Sequence, residues 1–271
     1  MTFPNMKDTI VTYMKESCPW QDSLLWFDSI ESTNTHARKL AQDGAPHGTV
    51  LLADHQTGGR GRLGRSFHSP AGTGIYLSLI LRPSCKPEEL MHLTCAVAVA
   101  LRRAVLEGCG LETGIKWTND LVFGKQKLAG ILTELGFTAK GTVDFAIIGI
   151  GLNCCQTQAD FPEEIRHIAG SLYSVTGKMP DRAKVTASLL DALYRMDQQL
   201  LVDRSGILDA YRSACVTLGK EVSVVKADGT VRHGTALDID EYGALRVHFP
   251  DTGTETVNSG EVSVRGMYGY L

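Results

Sequence analysis

Residues Thr49-Val-Leu-Leu-Ala-Asp-His-Gln-Thr-Gly-Gly-Arg-Gly-Arg-Leu-Gly-Arg65 run from a strand-like stretch, Thr49 to His55, into a loop with four glycines and three arginines. The residues just beyond that loop decide the fold. Gly59, Gly61 and Gly64 satisfy Gly-x-Gly-x-x-Gly, but a dinucleotide site needs a helix to start at the last glycine, so that its N-terminus meets the pyrophosphate. Pro70 and a second glycine turn, Ala71-Gly-Thr-Gly74, stand there instead, and no Gly-Lys-Ser/Thr ending offers a P-loop. The doubly wound nucleotide fold is therefore set aside. The loop itself reads as a mobile strip leaving a sheet edge. Its bare N–H groups and permanent guanidinium charges suit closure over an anion, the bland alternative being a solvated basic loop.

Outward from the loop, the first ~155 residues alternate strand-like runs with helical ones. Strands are predicted over 24–27, 49–55, 74–81, 114–117, 128–135 and 143–150, after a short N-terminal helix. One helix is predicted to start after Ser32 and reach about Gln42, closed by Gly44. Another runs from Pro87 to Gly108, with Leu90, Leu93, Val97, Leu101, Ala104 and Val105 at three- and four-residue spacing. A last long helix carries a core stripe of Val185, Leu189, Leu193, Met196 and Leu200. This pattern predicts an α+β fold, a mixed β-sheet flanked by helices. From Val216 short strands with turn signals take over, at 221–225, 234–238 and 244–249 with a turn at Ala227-Asp-Gly229, predicting a small β-barrel. The expected division is 1–215 and 216–271.

The chain has 271 residues, a net charge of -3 and no apolar run near the ~18 residues of a membrane span. Residues Met1 to Asp8 lack the apolar stretch of a signal peptide, so the expectation is a cytoplasmic protein. Because the basic charge is local and the whole chain slightly acidic, a dedicated nucleic-acid surface is disfavoured. Seven cysteines without Cys-x-x-Cys or histidines at metal spacing indicate reduced, mostly buried thiols rather than a disulfide framework or a zinc site.

Four further segments carry chemistry. Ser32-Thr33-Asn34 sits at a strand-to-helix junction, where a hydroxyl either caps the helix or faces a small polar ligand. Gln56 supports the turn into the loop or serves a ligand. Lys116-Trp-Thr-Asn119-Asp120 and Lys127-Leu-Ala-Gly130-Ile-Leu132-Thr-Glu134 read as one hairpin with its tip at 123–126. In it Lys127 is either a solvated lysine or a cation at the end of an apolar slot. Asp120 has three readings, holding Mg²⁺, accepting from an amine or fixing a turn, and Asn119 is most simply a turn residue. In Phe145-Ala-Ile-Ile-Gly149-Ile-Gly151-Leu-Asn153 two glycines at period two clear one sheet face, for a flat ligand or for close packing.

In order and approximate spacing, Ser32-Thr33-Asn34, the Gln56 to Arg65 block, Lys116 to Asp120, Lys127 to Leu132 and Gly149 to Asn153 resemble the biotin protein ligases. The likeness spans about 25–155, and the C-terminal barrel resembles that family's SH3-like domain less specifically. The resemblance implies a class II synthetase-like core and a two-step reaction. Biotin and ATP, with Mg²⁺, give biotinyl-5'-AMP; the lysine of a biotin carrier domain, such as that of acetyl-CoA carboxylase, then takes the biotinyl group. It also implies that Ser32, Thr33, Asn34 and Gln56 hold the ureido ring, and that Gly59, Arg60, Gly61 and Arg62 fold over the carboxylate and phosphate. Gly130 and Leu132 complete the biotin side. Lys127 would bridge carboxylate and α-phosphate. Arg62, Arg65, Phe67, Asn119, Asp120, Lys127 and Asn153 would meet the nucleotide, with Lys127, Arg62 and Asp120 catalytic.

The chain departs from common family versions at Leu63, Phe67 and Thr118, where a basic residue, tryptophan and proline are frequent. None of these removes a donor assigned above. With 31 residues before Ser32, the expectation is the ligase-only type without a DNA-binding domain, no membrane partner, and pairing of two copies as an open expectation. A lipoate-type ligase or a non-catalytic biotin or nucleotide sensor are the alternatives.

Overall fold

The computed structural model describes residues 5–226 and 228–259, and the backbone of 262–266. The first four residues of the N-terminal stretch and Ala227 of the predicted turn lie outside the described residues. In chain order the first part comprises α1 (Met6–Tyr13), β1 (Leu24–Phe27), α2 (Thr33–Gln42), β2 (Thr49–Ala53), β3 (Gly74–Leu81) and α3 (Leu93–Cys109). It continues through β4 (Gly114–Lys116), β5 (Asp120–Phe123), β6 (Gln126–Phe137), β7 (Val143–Asn153), α4 (Glu163–Arg166), α5 (Leu172–Thr176), α6 (Arg182–Gln199) and α7 (Arg204–Ala214). The second part is β8 (Glu221–Lys226), β9 (Val231–Ile239), β10 (Leu245–Phe249), β11 (Gly253–Val257) and β12 (Val262–Gly266).

Strands β1 to β7 form one mixed sheet in the order β1-β2-β3-β7-β6-β5-β4, parallel only between β1 and β2. Every residue of β2 and β3 is buried, as expected of central strands covered on both faces. Alternation along the strands sorts two cores. Leu51, Ile80, Phe145 and Ile147 pack with Ala37 and Ala41 of α2 on one face. Val50, Leu52, Leu79, Leu81, Ala146 and Ile148 join the main core with α1, α3 and α6 on the other. The predicted stripes on α3 and α6 are buried throughout. Because side chains repeat with period two, Ser78, Gly130, Leu132, Gly149 and Gly151 continue the α2 face beyond the start of α2. There the sheet is left for a site.

The structure corrects several expectations. The loop leaves an interior strand, not a sheet edge, since β2 lies between β1 and β3. The helix predicted from Pro87 is a short 3-10 turn, Pro87–Leu90, and α3 starts only after it. That helix closes at the left-handed Gly110; Gly108 instead lets α3 approach Val185 of α6, where a Cβ would lie 3.1 Å from the Val185 backbone. The single hairpin predicted over 116–134 is three strands, with an extra turn at 117–119, so Asp120 opens β5 opposite Lys116 and Gly130. The Trp117–Thr118 peptide in that turn is cis.

Strands β8 to β12 form an antiparallel sheet ordered β11-β10-β9-β8-β12. It docks on the first part where Trp117 Nε1 donates to the Gly243 carbonyl at 3.0 Å and Trp117 N–H donates to Thr217 Oγ1 at 2.9 Å. All seven cysteines are free thiols, five of them buried. Among the described residues no helix is long and apolar enough to cross a membrane.

Candidate active site

On the α2 face of the large sheet lies a cavity of about 640 Å³. It is lined by Ser32, Thr33, Asn34, Gln56, Arg60, Gly61, Arg62, Arg65, Phe67, Asn119, Asp120, Lys127, Gly130, Leu132 and Asn153. Of the residues singled out from the sequence only Gly59 is not in the lining. Its role is local: a Cβ there would run into the Phe67 carbonyl and lie 2.7 Å from Ser69 Oγ, so only glycine lets the two limbs of the loop close.

One end is built on the first turn of α2. Ser32 is the N-cap, its Oγ accepting from Thr35 N–H at 3.4 Å, and it also lines the cavity. Gln56 supports the turn into the loop and lines the cavity. Its Oε1 accepts from Thr33 N–H at 2.9 Å while its Nε2 donates to Ser69 Oγ at 3.0 Å. Asn34 reaches across to β3 and β6: its Oδ1 accepts from Ser78 Oγ at 2.6 Å and its Nδ2 donates to the Leu132 carbonyl and to Glu134 Oε2, at 3.3 and 2.9 Å.

Packing explains the cleared face of β7. A Cβ on Gly149 would collide with Asn34 Oδ1, and one on Gly151 would collide with the Phe67 ring. Gly130 sits beside the same ring and beside the Lys127 side chain, at 3.6 and 3.3 Å from a built Cβ. The three glycines seat Asn34, Phe67 and Lys127 against the sheet.

The opposite end is charged. Lys127 Nζ lies 2.6 Å from Asp120 Oδ1, both partly buried, so the solvated-lysine reading is excluded. Such a pair needs further polar company to offset its desolvation. Arg62 donates to Asn119 Oδ1 at 3.0 Å and to the carbonyl of Ser259, which follows β11, and Asn119 Nδ2 donates to the Ile131 carbonyl at 3.0 Å. Burial lowers the proton affinity of the Arg62 guanidinium; Asp120 opposes this and Arg65 reinforces it. A cation partly stripped of water and crowded by a second one favours an anionic ligand. The turn carrying Asn119 is held by Tyr211 of α7, whose hydroxyl donates to the Thr118 carbonyl at 3.0 Å. The loop closes on itself through Gly61 N–H to the Arg65 carbonyl at 2.7 Å, and Leu63 at its tip takes a left-handed φ of 55°.

A third wall is missing from the sequence reading. Phe161, Ile165, His167, Ile168 and Ala169 line the cavity. They are held by Lys127 N–H to the Ile168 carbonyl at 2.7 Å and Asn153 Nδ2 to the Gly170 carbonyl at 2.9 Å. The spacing of Phe161, Ile165 and Ala169 by four is the one signal the sequence offers for it. Lys116 also lines the cavity and is buried, at 7% exposure.

A cavity with a hydrogen-bonding end, an aromatic wall and a cationic end suits a ligand pair that is part neutral ring and part anion. Comparison with known proteins points the same way. Residues 26–153 match the Biotin/lipoate A/B protein ligase family, and residues 217–265 the Biotin protein ligase C terminal domain. The chain is 35% identical over 242 residues to the Bifunctional ligase/repressor BirA of Bacillus subtilis, covering 89% of this chain and 74% of that protein. It is 34% identical over 238 residues to the Biotin--[acetyl-CoA-carboxylase] ligase of Mycobacterium tuberculosis, covering 85% of each. The solved biotin protein ligase from Aquifex aeolicus in complex with biotin and ATP superposes with a TM-score of 0.75 at 31% identity, over 90% of this chain and 98% of that one.

Proposed function

The chain belongs to the biotin protein ligase family, and from that premise we propose how its own residues divide the work. It is an ATP-dependent ligase that attaches biotin to a protein through biotinyl-5'-AMP. The carrier we propose is the biotin carrier domain of a carboxylase, as the names of the relatives indicate.

In the proposed arrangement biotin's cyclic urea lies at the Ser32–Asn34 and Gln56 end, flanked by Gly130 and Leu132. Its carboxylate reaches Lys127. A carboxylate oxygen attacks the α-phosphorus of ATP and the bond to pyrophosphate breaks, moving negative charge onto the leaving group. Fixed cations count most for such a step. Lys127, drawn from Asp120 toward the two anions, bridges them, while Arg62 and Arg65 face the phosphates. Phe67, Asn119 and Asn153 complete the nucleotide side. ATP enters with Mg²⁺, and the carboxylate of Asp120 and amide oxygen of Asn119 are oxygen donors of the kind that ion takes. In the second step the carrier amine attacks the acyl carbon, AMP leaves, and Asp120, released from Lys127, takes the amine proton. Closure of Gly59, Arg60, Gly61 and Arg62 over the mixed anhydride excludes water meanwhile. We divide the chain into a catalytic part, 1–215, and a C-terminal SH3-like part, 216–271. The contact of Ser259 with Arg62 ties the second to the lid of the first.

The observation that carries this reading is the convergence of Lys127, Asp120 and Arg62 at the end of the cavity away from the Ser32–Asn34 network. The test is to incubate the protein with biotin, MgATP and a carrier domain and to weigh the carrier by mass spectrometry. A gain of one biotinyl group on one lysine, without transfer of lipoate in a parallel reaction, is the expected result. Transfer of lipoate but not biotin, or pyrophosphate release without transfer, would contradict it.

A further inference from the structure

Glu134 stands at the far end of the hydrogen-bond network under the Ser32–Asn34 side of the cavity, yet does not line the cavity itself. Its Oε2 accepts from Asn34 Nδ2 at 2.9 Å. Its Oε1 accepts from Arg38 of α2 at 3.1 Å and lies 3.4 Å from Arg60 of the glycine and arginine loop. The side chain is 14% exposed, so three donors from two separate elements meet one largely covered carboxylate.

An ionised carboxylate only accepts, and that fixes the direction of every bond inward from it. With Glu134 and the Leu132 carbonyl both acceptors, the Asn34 amide nitrogen must face them and its oxygen must face Ser78. Ser78 must then spend its single proton on Asn34 Oδ1. The Thr33 hydroxyl donates its own proton to Gln56 Oε1 at 3.1 Å, so toward Ser78 Oγ, 2.8 Å away, it acts as an acceptor and takes the minor share of the Ser78 proton. Gln56 Oε1 is served by Thr33 N–H. Lone pairs on Thr33 Oγ1 and Asn34 Oδ1 are what remains for a ligand, which suits the two N–H groups of a cyclic urea.

We infer that Glu134 is a positioning residue for biotin: through Asn34 it sets the acceptor polarity of the urea end, and through Arg60 it seats the loop over that end. The inference rests on the ligase reading and deepens it. A charge-assisted bond to an amide and an ion pair to the loop are both lost when the carboxylate becomes an amide, while the shape is kept.

The experiment measures biotin affinity by calorimetry, and the KM values for biotin and MgATP in pyrophosphate release, for the unmodified enzyme, Glu134→Gln, Glu134→Asp, Arg60→Gln and the Glu134→Gln/Arg60→Gln double variant. Glu134→Gln is expected to weaken biotin binding about tenfold or more, with KM for MgATP within about twofold and a melting temperature lowered by only a few degrees, as for the loss of one or two charge-assisted hydrogen bonds. Glu134→Asp, shorter but still acceptor-only, should retain more affinity than the isosteric glutamine. Adding Arg60→Gln to Glu134→Gln should cost less than Arg60→Gln costs alone, because the partners are coupled. Wild-type biotin affinity in Glu134→Gln, equal rises in both KM values, or a glutamine that outperforms aspartate would overturn the inference while leaving the ligase reading in place. Failure of the unmodified enzyme to release pyrophosphate would instead remove that reading, and the inference with it.

Discussion

At the α2 end of the cavity Ser32, Thr33 and Asn34 are 2%, 3% and 5% exposed; Ser32 caps α2, and Thr33 and Asn34 are hydrogen-bonded to Gln56, β3 and β6. At the loop end Leu63 is 61% exposed, the Arg60 side chain is 47% exposed and reaches only Glu134, and Arg62 is held by Asn119 and by the Ser259 carbonyl of the C-terminal part. The first end is a finished site whose polar groups already have partners; ordering it costs nothing further. The second keeps its glycines and like charges, so closing it has to be driven by a ligand. The contrast assigns recognition of the neutral ring to rigid structure and retention of the reactive anhydride to a moving one.

The largest effect should come from Lys127, paired with Asp120 at the charged end. Lys127→Ala is expected to reduce adenylate formation by about 10²–10³-fold, the usual cost of losing one donor to developing charge. Because the rigid end is untouched, calorimetry should still find biotin bound within about an order of magnitude. Pyrophosphate release at the unmodified rate would remove Lys127 from its assigned place.

Two glycines on one strand separate the ends next. Gly149→Ala drives its methyl into Asn34, whereas Gly151→Ala drives it into the Phe67 ring. Displacing a buried, fully bonded amide costs about 1–3 kcal/mol, so Gly149→Ala should weaken biotin about 5- to 150-fold and leave nucleotide affinity alone. Gly151→Ala should do the reverse. Parallel loss of both ligands in both variants would mean that the cavity is one unit and not two.

Arg62→Gly should have the smallest effect on synthesis, within about tenfold, because it removes one cation and a few hydrogen bonds. Its signature lies elsewhere. With the lid freed from Asn119 and from Ser259, biotinyl-5'-AMP should escape and acylate lysines of a bystander protein lacking a carrier domain, read by a biotin blot. A clean bystander despite continued adenylate synthesis would show that retention does not depend on this loop.

Much of the fold and the site is legible in the sequence, for reasons that differ by element. The five motif blocks stand out because glycine, arginine and lysine on apolar strands are costly without a purpose, and the structure gathers nearly all of them into one cavity. The stripes on α3 and α6 follow from periodicity alone. What stays hidden depends on partners far along the chain. Glu134 acquires its place only when Asn34, 100 residues away, is folded against it. The wall at 161–169 is held by backbone bonds to Lys127 and Asn153, which leave no mark on side-chain pattern. At 117–119 Asn119 already signals a turn, but that Asp120 opens a separate strand shows only once β5 is paired between β4 and β6. The choice between ligand and packing at the paired glycines is undecidable without Asn34 and Phe67 in view.

The division between a finished end and a driven lid is tested most directly by calorimetric titration of a non-hydrolysable ATP analogue into the protein, with and without saturating biotin. Biotin should order the loop before the nucleotide arrives, so the analogue should bind about 5- to 150-fold more tightly in its presence, with biotin gaining the same factor from the analogue. Equal affinities for the analogue in both titrations would contradict the account, because the lid would then be closed, or open, regardless of what the rigid end holds.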